Sequence, residues 1–152
     1  MAYIVRPLEA ADKPRWRELF DGYLKFYKTE LSDEQIELTF ERLMGDFEWD
    51  PKGLVAVNDE RRIDGITHYV FHRSTWSPTV YCYLEDLFVD PAVRGGGAGR
   101  ALIMAVYDRA DDKGATRTYW ATQEFNYPGR TLYDKVADKS PFIQYRRPPK
   151  QG

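Results

Sequence analysis

Cysteine is nearly absent: the chain of 152 residues has one, Cys82. A lone cysteine can close no internal disulfide and anchors no metal cluster, so a small disulfide- or metal-stapled scaffold is excluded. Its place inside an apolar stretch marks it as a small core residue. No apolar run approaches the roughly 18 residues that a membrane-spanning helix needs. Met1-Ala2-Tyr3-Ile4-Val5-Arg6-Pro7 also lacks the pattern of a secretory leader. These absences lead us to expect a soluble, cytoplasmic protein with no membrane partner. Positive charge is not in excess: 22 Lys and Arg stand against 24 Asp and Glu, a formal net charge of −2. That balance argues against a surface built to grip nucleic acid and suits a cationic substrate slightly better. Repeats and low-complexity segments are missing too.

What is present suffices for one core. With 43% hydrophobic residues, the length points to a single domain over residues 1–147, followed by a frayed tail at 148–152. Strands are expected at residues 3–6, 54–57, 63–72, 81–89, 116–121 and 142–147. Helices are expected at about 12–27, 32–44, 98–112 and 128–137. In the first of these, Pro14 sits in the opening turn, where a missing N–H costs little, and Trp16, Leu19, Phe20, Tyr23, Leu24 and Tyr27 share one face. Ser32 followed by Gln35 reads as a capping box for the second helix. The fold class is α/β, with a mixed sheet and flanking helices.

The most informative stretch is Tyr81-Cys82-Tyr83-Leu84-Glu85-Asp86-Leu87-Phe88-Val89-Asp90-Pro91, followed by Ala92-Val93-Arg94-Gly95-Gly96-Gly97-Ala98-Gly99-Arg100. A buried strand passes through a glycine turn into a helix. The free N–H groups of such a turn, at the positive end of a helix, form an anion site suited to phosphate or pyrophosphate, and Arg94 adds a charge. No Gly-Lys-Ser/Thr closes a Walker loop here. The glycine interval and the lack of a carboxylate on the next strand also depart from a dinucleotide fingerprint. The pattern Arg-x-x-Gly-x-Gly, met at Arg94, Gly97 and Gly99, instead resembles the acetyl-CoA pyrophosphate loop of the GNAT superfamily of N-acetyltransferases. The preceding strand is similar to that of the diamine-acetyltransferase branch. A second motif, Asn126 with Leu132-Tyr133-Asp134-Lys135, follows after one helix and one strand. The run from Tyr119-Trp120 through Tyr133 to Tyr145-Arg146-Arg147 resembles the Hpa-type histone and small-amine acetyltransferases.

The resemblance implies a GNAT fold, with a mixed sheet of about six to seven strands and about four helices. It also implies acetyl-CoA as cosubstrate, with no metal. Gly95, Gly96, Gly97, Ala98, Gly99 and Arg100, with Arg94, would hold the pyrophosphate. Leu87 and Val89 would pair with the pantetheine through a backbone freed by a bulge, with an N–H near Phe88 as oxyanion donor. Asn126 would contact the cofactor or fix its loop. Tyr133, a phenol protonated at neutral pH, would give its proton to the departing sulfur. The amine must lose a proton before it attacks, so a carboxylate base is needed. Glu85 is the first choice and Asp86 the second, since alternation would put them on opposite faces. Cys82, internal to the strand, argues against a covalent acyl-enzyme.

Two positions depart from the family pattern: Pro128-Gly129 opens the helix after Asn126, and Ala137-Asp138 replaces the usual glycine after it. Pairing through the C-terminal strand would give a homodimer, which also covers an exposed sheet edge. For the acceptor, Tyr23, Phe26, Tyr27, Glu30 and Trp76 supply aromatic and acidic groups suited to a small cationic amine or amino acid. A lysine or histone acetyltransferase, and a non-catalytic acyl-CoA-binding module, stay open as alternatives.

Overall fold

The computed structural model describes residues 2–93 and 95–150. Arg94, the expected partner of the pyrophosphate, lies outside the described residues, as do Met1, Gln151 and Gly152. The chain forms two compact units, Met1–Ala121 and Thr122–Gly152.

The first unit holds one sheet of five strands in the order β1-β2-β3-β4-β5: β1 Ile4–Pro7, β2 Lys52–Val57, β3 Ile63–His72, β4 Tyr81–Val89 and β5 Arg117–Tyr119. All neighbours are antiparallel except β4 and β5, which run parallel. Helices α1 (Lys13–Phe26) and α2 (Asp33–Leu43) follow β1, and α3 (Ala98–Lys113) joins β4 to β5. The apolar stripe of α1 buries Trp16, Leu19, Phe20 and Leu24, which pack with Ile36, Phe40 and Leu43 of α2 and with Val55, Ile66 and Phe88 of the sheet. Leu102, Ile103 and Val106 of α3 are fully buried as well. Gly22 matters to this packing because a Cβ there would meet the Phe88 ring at 2.8 Å. Its absence lets α1 lie directly against β4. At α2, Ser32 accepts from the Gln35 N–H at 3.1 Å, but the Gln35 side chain turns to Thr39, so only half of the expected capping box is made.

In the second unit, α4 spans Tyr127–Val136. Asn126 caps it by accepting from the Gly129 N–H at 3.3 Å, and Pro128 occupies its first turn. The helix ends on Ala137 in an extended conformation (φ −152°, ψ 172°), which any residue adopts. Hence the missing glycine after the helix leaves no strain.

Five strands replace the expected six to seven. Residues 142–147 form no strand among the described residues, and Phe142, Ile143 and Tyr145 are 74%, 77% and 88% exposed. A strand is stable only where its N–H and C=O groups find a partner. This segment, bracketed by Pro141 and Pro148-Pro149, has the right residue types but no ladder. The fifth strand is also shorter than the expected 116–121.

Candidate active site

β4 is irregular at its centre. Asp86 lies opposite His68 and Leu84 opposite Tyr69, so Glu85 is an extra residue with no partner on β3. A bulge of this kind absorbs one step of the alternation. Asp86 therefore shares the face of its cross-strand neighbour His68, which packs on Trp16 and Phe20 of α1. Leu84 falls on the other face, and Glu85 joins Asp86 on the α1 side. The expectation that alternation sends the two carboxylates to opposite faces is corrected: the bulge brings them together.

Among the described residues, the opposite edge of β4 has no strand partner beyond its first residues: β5 pairs only with Tyr81, Cys82 and Tyr83. The Asp90 N–H donates to the Asp64 carbonyl on the β3 side at 2.8 Å. By the period of two, the main-chain groups of Asp86 and Phe88 also face β3, and those of Leu87 and Val89 point away from it, along the unpaired edge. The N–H of Phe88 itself is thus turned inward. The N–H groups near it that face away from β3 are those of Leu87 and Val89.

The Asp86 carboxylate accepts from His68 Nδ1 at 2.8 Å, while His68 Nε2 accepts from the Trp16 indole N–H at 2.9 Å. Trp16 is fully buried and His68 nearly so. The Asp86 main chain is held as well, its carbonyl accepting from Thr67 Oγ1 at 2.7 Å. Sequence reasoning missed His68. Its only signal is a histidine within an apolar strand, and pairing it with Asp86 requires the bulged register.

Tyr23 of α1 joins this group. Burial pushes its phenol far above the ordinary value, and the Asp86 carboxylate beside it adds in the same direction. Glu85 titrates above the usual carboxylate range, first because surrounding protein desolvates it and then because Asp86 repels its charge. Tyr27 packs on Tyr23 with its ring tilted, centroids 4.9 Å apart, and Phe26 meets Tyr27 edge-on at 5.0 Å. The other two acceptor candidates lie elsewhere. Glu30 lines a surface groove with Arg17, Asp21, Lys25 and Lys28. Trp76 is exposed in the loop before β4, beneath the Arg117 guanidinium.

In the glycine turn, Gly95 and Gly97 have φ of 89° and 92°, a region that disfavours side chains, and a Cβ on either would meet nothing within 4 Å. Gly97 is the N-cap of α3, and no side chain caps the helix. The first N–H groups of Ala98, Gly99 and Arg100 therefore have no intrahelical partner. Gly96 rests on the ring of Tyr3, whose hydroxyl donates to buried Asp64 at 2.8 Å. Burial pushes the Cys82 thiol up to about 12, which disfavours a nucleophilic thiolate. In the second unit, both polar ends of the Asn126 side chain are engaged, with Gly129 and with Thr122 Oγ1 at 2.9 Å. Tyr133 lies on α4, and its carbonyl accepts from the Ala137 N–H at 2.8 Å.

Comparison with known proteins gives this geometry its setting. The profile of the Acetyltransferase (GNAT) family matches residues 15–137. The D-amino-acid N-acetyltransferase HPA3 of Saccharomyces cerevisiae is 34% identical over 149 residues, 95% of this chain and 89% of that protein. A thialysine N-epsilon-acetyltransferase of Caenorhabditis elegans is 35% identical over 72 residues, 47% of this chain and 44% of its own length. Among solved structures, a ribosomal-protein-alanine N-acetyltransferase from Brucella melitensis biovar Abortus 2308 superposes with a TM-score of 0.79 at 19% identity, covering 97% of this chain and 99% of that one. A probable acetyltransferase gives a TM-score of 0.83, also at 19% identity, with 98% and 99% covered. These last two speak to the fold alone. The chain belongs to the GNAT family of acetyltransferases.

Proposed function

We propose that this acetyltransferase delivers the acetyl group of acetyl-CoA to the nitrogen of a small cationic primary amine or amino acid, by direct attack in a ternary complex. The observation that carries the reading is the bulge in β4, which brings Glu85 and Asp86 together on the α1 face beside Tyr23. Two adjacent carboxylates bordered by aromatic rings attract an ammonium and can remove its proton. The names of two relatives, one acting on D-amino acids and one on thialysine, support an acceptor of amino-acid size.

Acetyl-CoA, the donor in this family, brings an activated thioester when bound. The residues present fit it: the open, side-chain-free cradle at Gly95 and Gly97 suits a pyrophosphate, and the unpaired edge of β4 offers main-chain groups. Arg94, Gly96, Ala98, Gly99 and Arg100 complete the pyrophosphate loop in this reading. Leu87 and Val89 hold the pantetheine arm through their backbone. Glu85 takes the proton from the amine, Asp86 attracts the ammonium, and Tyr133 gives its hydroxyl proton to the departing sulfur. Asn126 fixes the loop by capping α4. Residues 1–147 act as one domain in this proposal, supported by a family match that runs from residue 15 to 137. We also propose a cytoplasmic homodimer.

A thiol-release assay with acetyl-CoA tests the acceptor, across D- and L-amino acids, thialysine, diamines, aminoglycosides and lysine peptides. Turnover with small amines is expected. Activity confined to lysine peptides would overturn the choice of acceptor.

A further inference from the structure

The buried chain Trp16–His68–Asp86 has a direction that its chemistry fixes. An indole N–H can only donate, so the nitrogen it reaches, His68 Nε2, must present a lone pair. The proton of the neutral ring then sits on Nδ1 and points at Asp86 Oδ2. A second proton on the ring would displace the Trp16 hydrogen bond inside the core, where Trp16 is fully buried and has no water to turn to. Trp16 thus locks both the tautomer and the neutrality of His68. The contact between His68 and Asp86 is therefore a hydrogen bond to a carboxylate and not an ion pair. Among the described residues no lysine or arginine is ion-paired with Asp86 either; Arg15 of α1 is engaged by Asp90 at 2.8 Å.

We infer that His68, locked by Trp16, is a positioning residue that holds Asp86 as an oriented carboxylate with its charge uncompensated, ready for the ammonium group of the acceptor. The inference rests on the acceptor reading above. One carboxylate oxygen is tied to the protein interior, which removes the rotamer freedom of the side chain. The Asp86 side chain stays 18% exposed, beside Tyr23 and Glu85. A charged partner in place of His68 would orient the carboxylate equally well but would also cancel its attraction for a cation. A neutral donor orients it and leaves the charge available, and the indole is what keeps the donor neutral.

Two substitutions at His68 separate the halves of this device. Asparagine places an amide donor near the position of Nδ1 and keeps the bond to Asp86, whereas leucine fills the space and keeps neither bond. The assay uses the amine that the wild-type protein acetylates fastest, with acetyl-CoA saturating. His68→Leu is expected to raise KM for that amine about tenfold to a hundredfold, the factor supplied by a hydrogen bond to a charged group, with kcat changed far less. His68→Asn is expected to recover most of that loss, although both variants lose the acceptor for Trp16 and so share a fall in thermal stability. An independent readout is the ¹⁵N spectrum of the histidines in the wild-type protein, in which His68 is expected to carry its proton on Nδ1 at neutral pH. Equal KM values for wild type, asparagine and leucine variants would overturn the inference while leaving the acceptor reading intact. So would a spectrum showing His68 as Nε2–H or as imidazolium. A wild-type protein that acetylates none of the amines would instead overturn the acceptor reading, and this inference with it.

Discussion

Glu85 and Asp86 share a face, so the charge of each weighs on the other. Glu85 titrates above the ordinary carboxylate range, first because neighbouring protein partly desolvates it and then because Asp86 repels its ionised form. A base works only when deprotonated, so kcat/KM should fall as pH is lowered through this raised value. Asp86→Asn removes one of the two causes, and the acidic limb of the pH profile should then move to lower pH even as the rate itself drops. An acidic limb at the same pH in the variant would show that Glu85 is not the group that limits the rate, or that the pair does not titrate together. Tyr133 carries a separate expectation. Tyr133→Phe removes a hydroxyl and little else, so turnover should fall by roughly a hundredfold or more, the usual weight of a general acid, with acetyl-CoA affinity nearly unchanged by calorimetry. Unchanged turnover would remove Tyr133 from the mechanism. At this scale the sequence showed the chemical groups and not their partners. Glu85, Asp86 and Tyr133 were visible by type and motif. His68 was not, because its meeting with Asp86 depends on a cross-strand register that no local pattern records.

Elements were legible where they rest on local stereochemistry. Four glycines in five positions announce a turn with positive φ, and the turn is there, with Gly97 as the N-cap of α3 at φ 92°. The stripes of α1 and α2 follow from a spacing that burial confirms. Two features were not legible in the pattern itself. A bulge adds one residue to a strand without changing its composition, so a bulge in the central strand was implied by the family resemblance alone, and its position at Glu85 left no trace. Residues 142–147 have a strand's composition but no partner, and pairing is a property of the fold and not of the segment. The glycine turn also supports a test of the cofactor loop. A β-branched residue at φ near 90° is strained, and its side chain would project into the open space assigned to phosphate. Gly97→Val should therefore abolish measurable acetyl-CoA binding while circular dichroism stays native. Unaltered affinity in a folded Gly97→Val protein would sink the placement of the pyrophosphate.

Across the whole molecule, charge is used for attachment as well as for chemistry. Arg6 reaches from β1 to Asp12 at 2.8 Å, and Arg15 reaches from α1 to Asp90 at the end of β4, also at 2.8 Å. These ties fix the first strand to the start of α1, and α1 to the strand that carries the site. Both aspartates titrate below the ordinary value of 3.8, Asp12 chiefly through its hydrogen bond from Arg6 and Asp90 chiefly through that from Arg15. A carboxyl whose folded value lies below its unfolded one stabilises the fold above the unfolded value, and that contribution is lost as pH falls through the folded value. The acid limb of stability therefore belongs partly to these pairs. The Asp12 side chain is only 9% exposed, so Arg6→Gln leaves a nearly buried carboxylate with the Glu9 N–H but without its cation. The cost should be about 2 kcal/mol near neutral pH, a fall of roughly 4–8 °C in Tm for a chain of this size. As pH falls through the lowered folded value of Asp12, that carboxyl becomes protonated in the wild type as well, and the gap between the Tm values should close. A gap that persists undiminished into acid would mean that Arg6 stabilises through packing of its stem and not through its charge on Asp12.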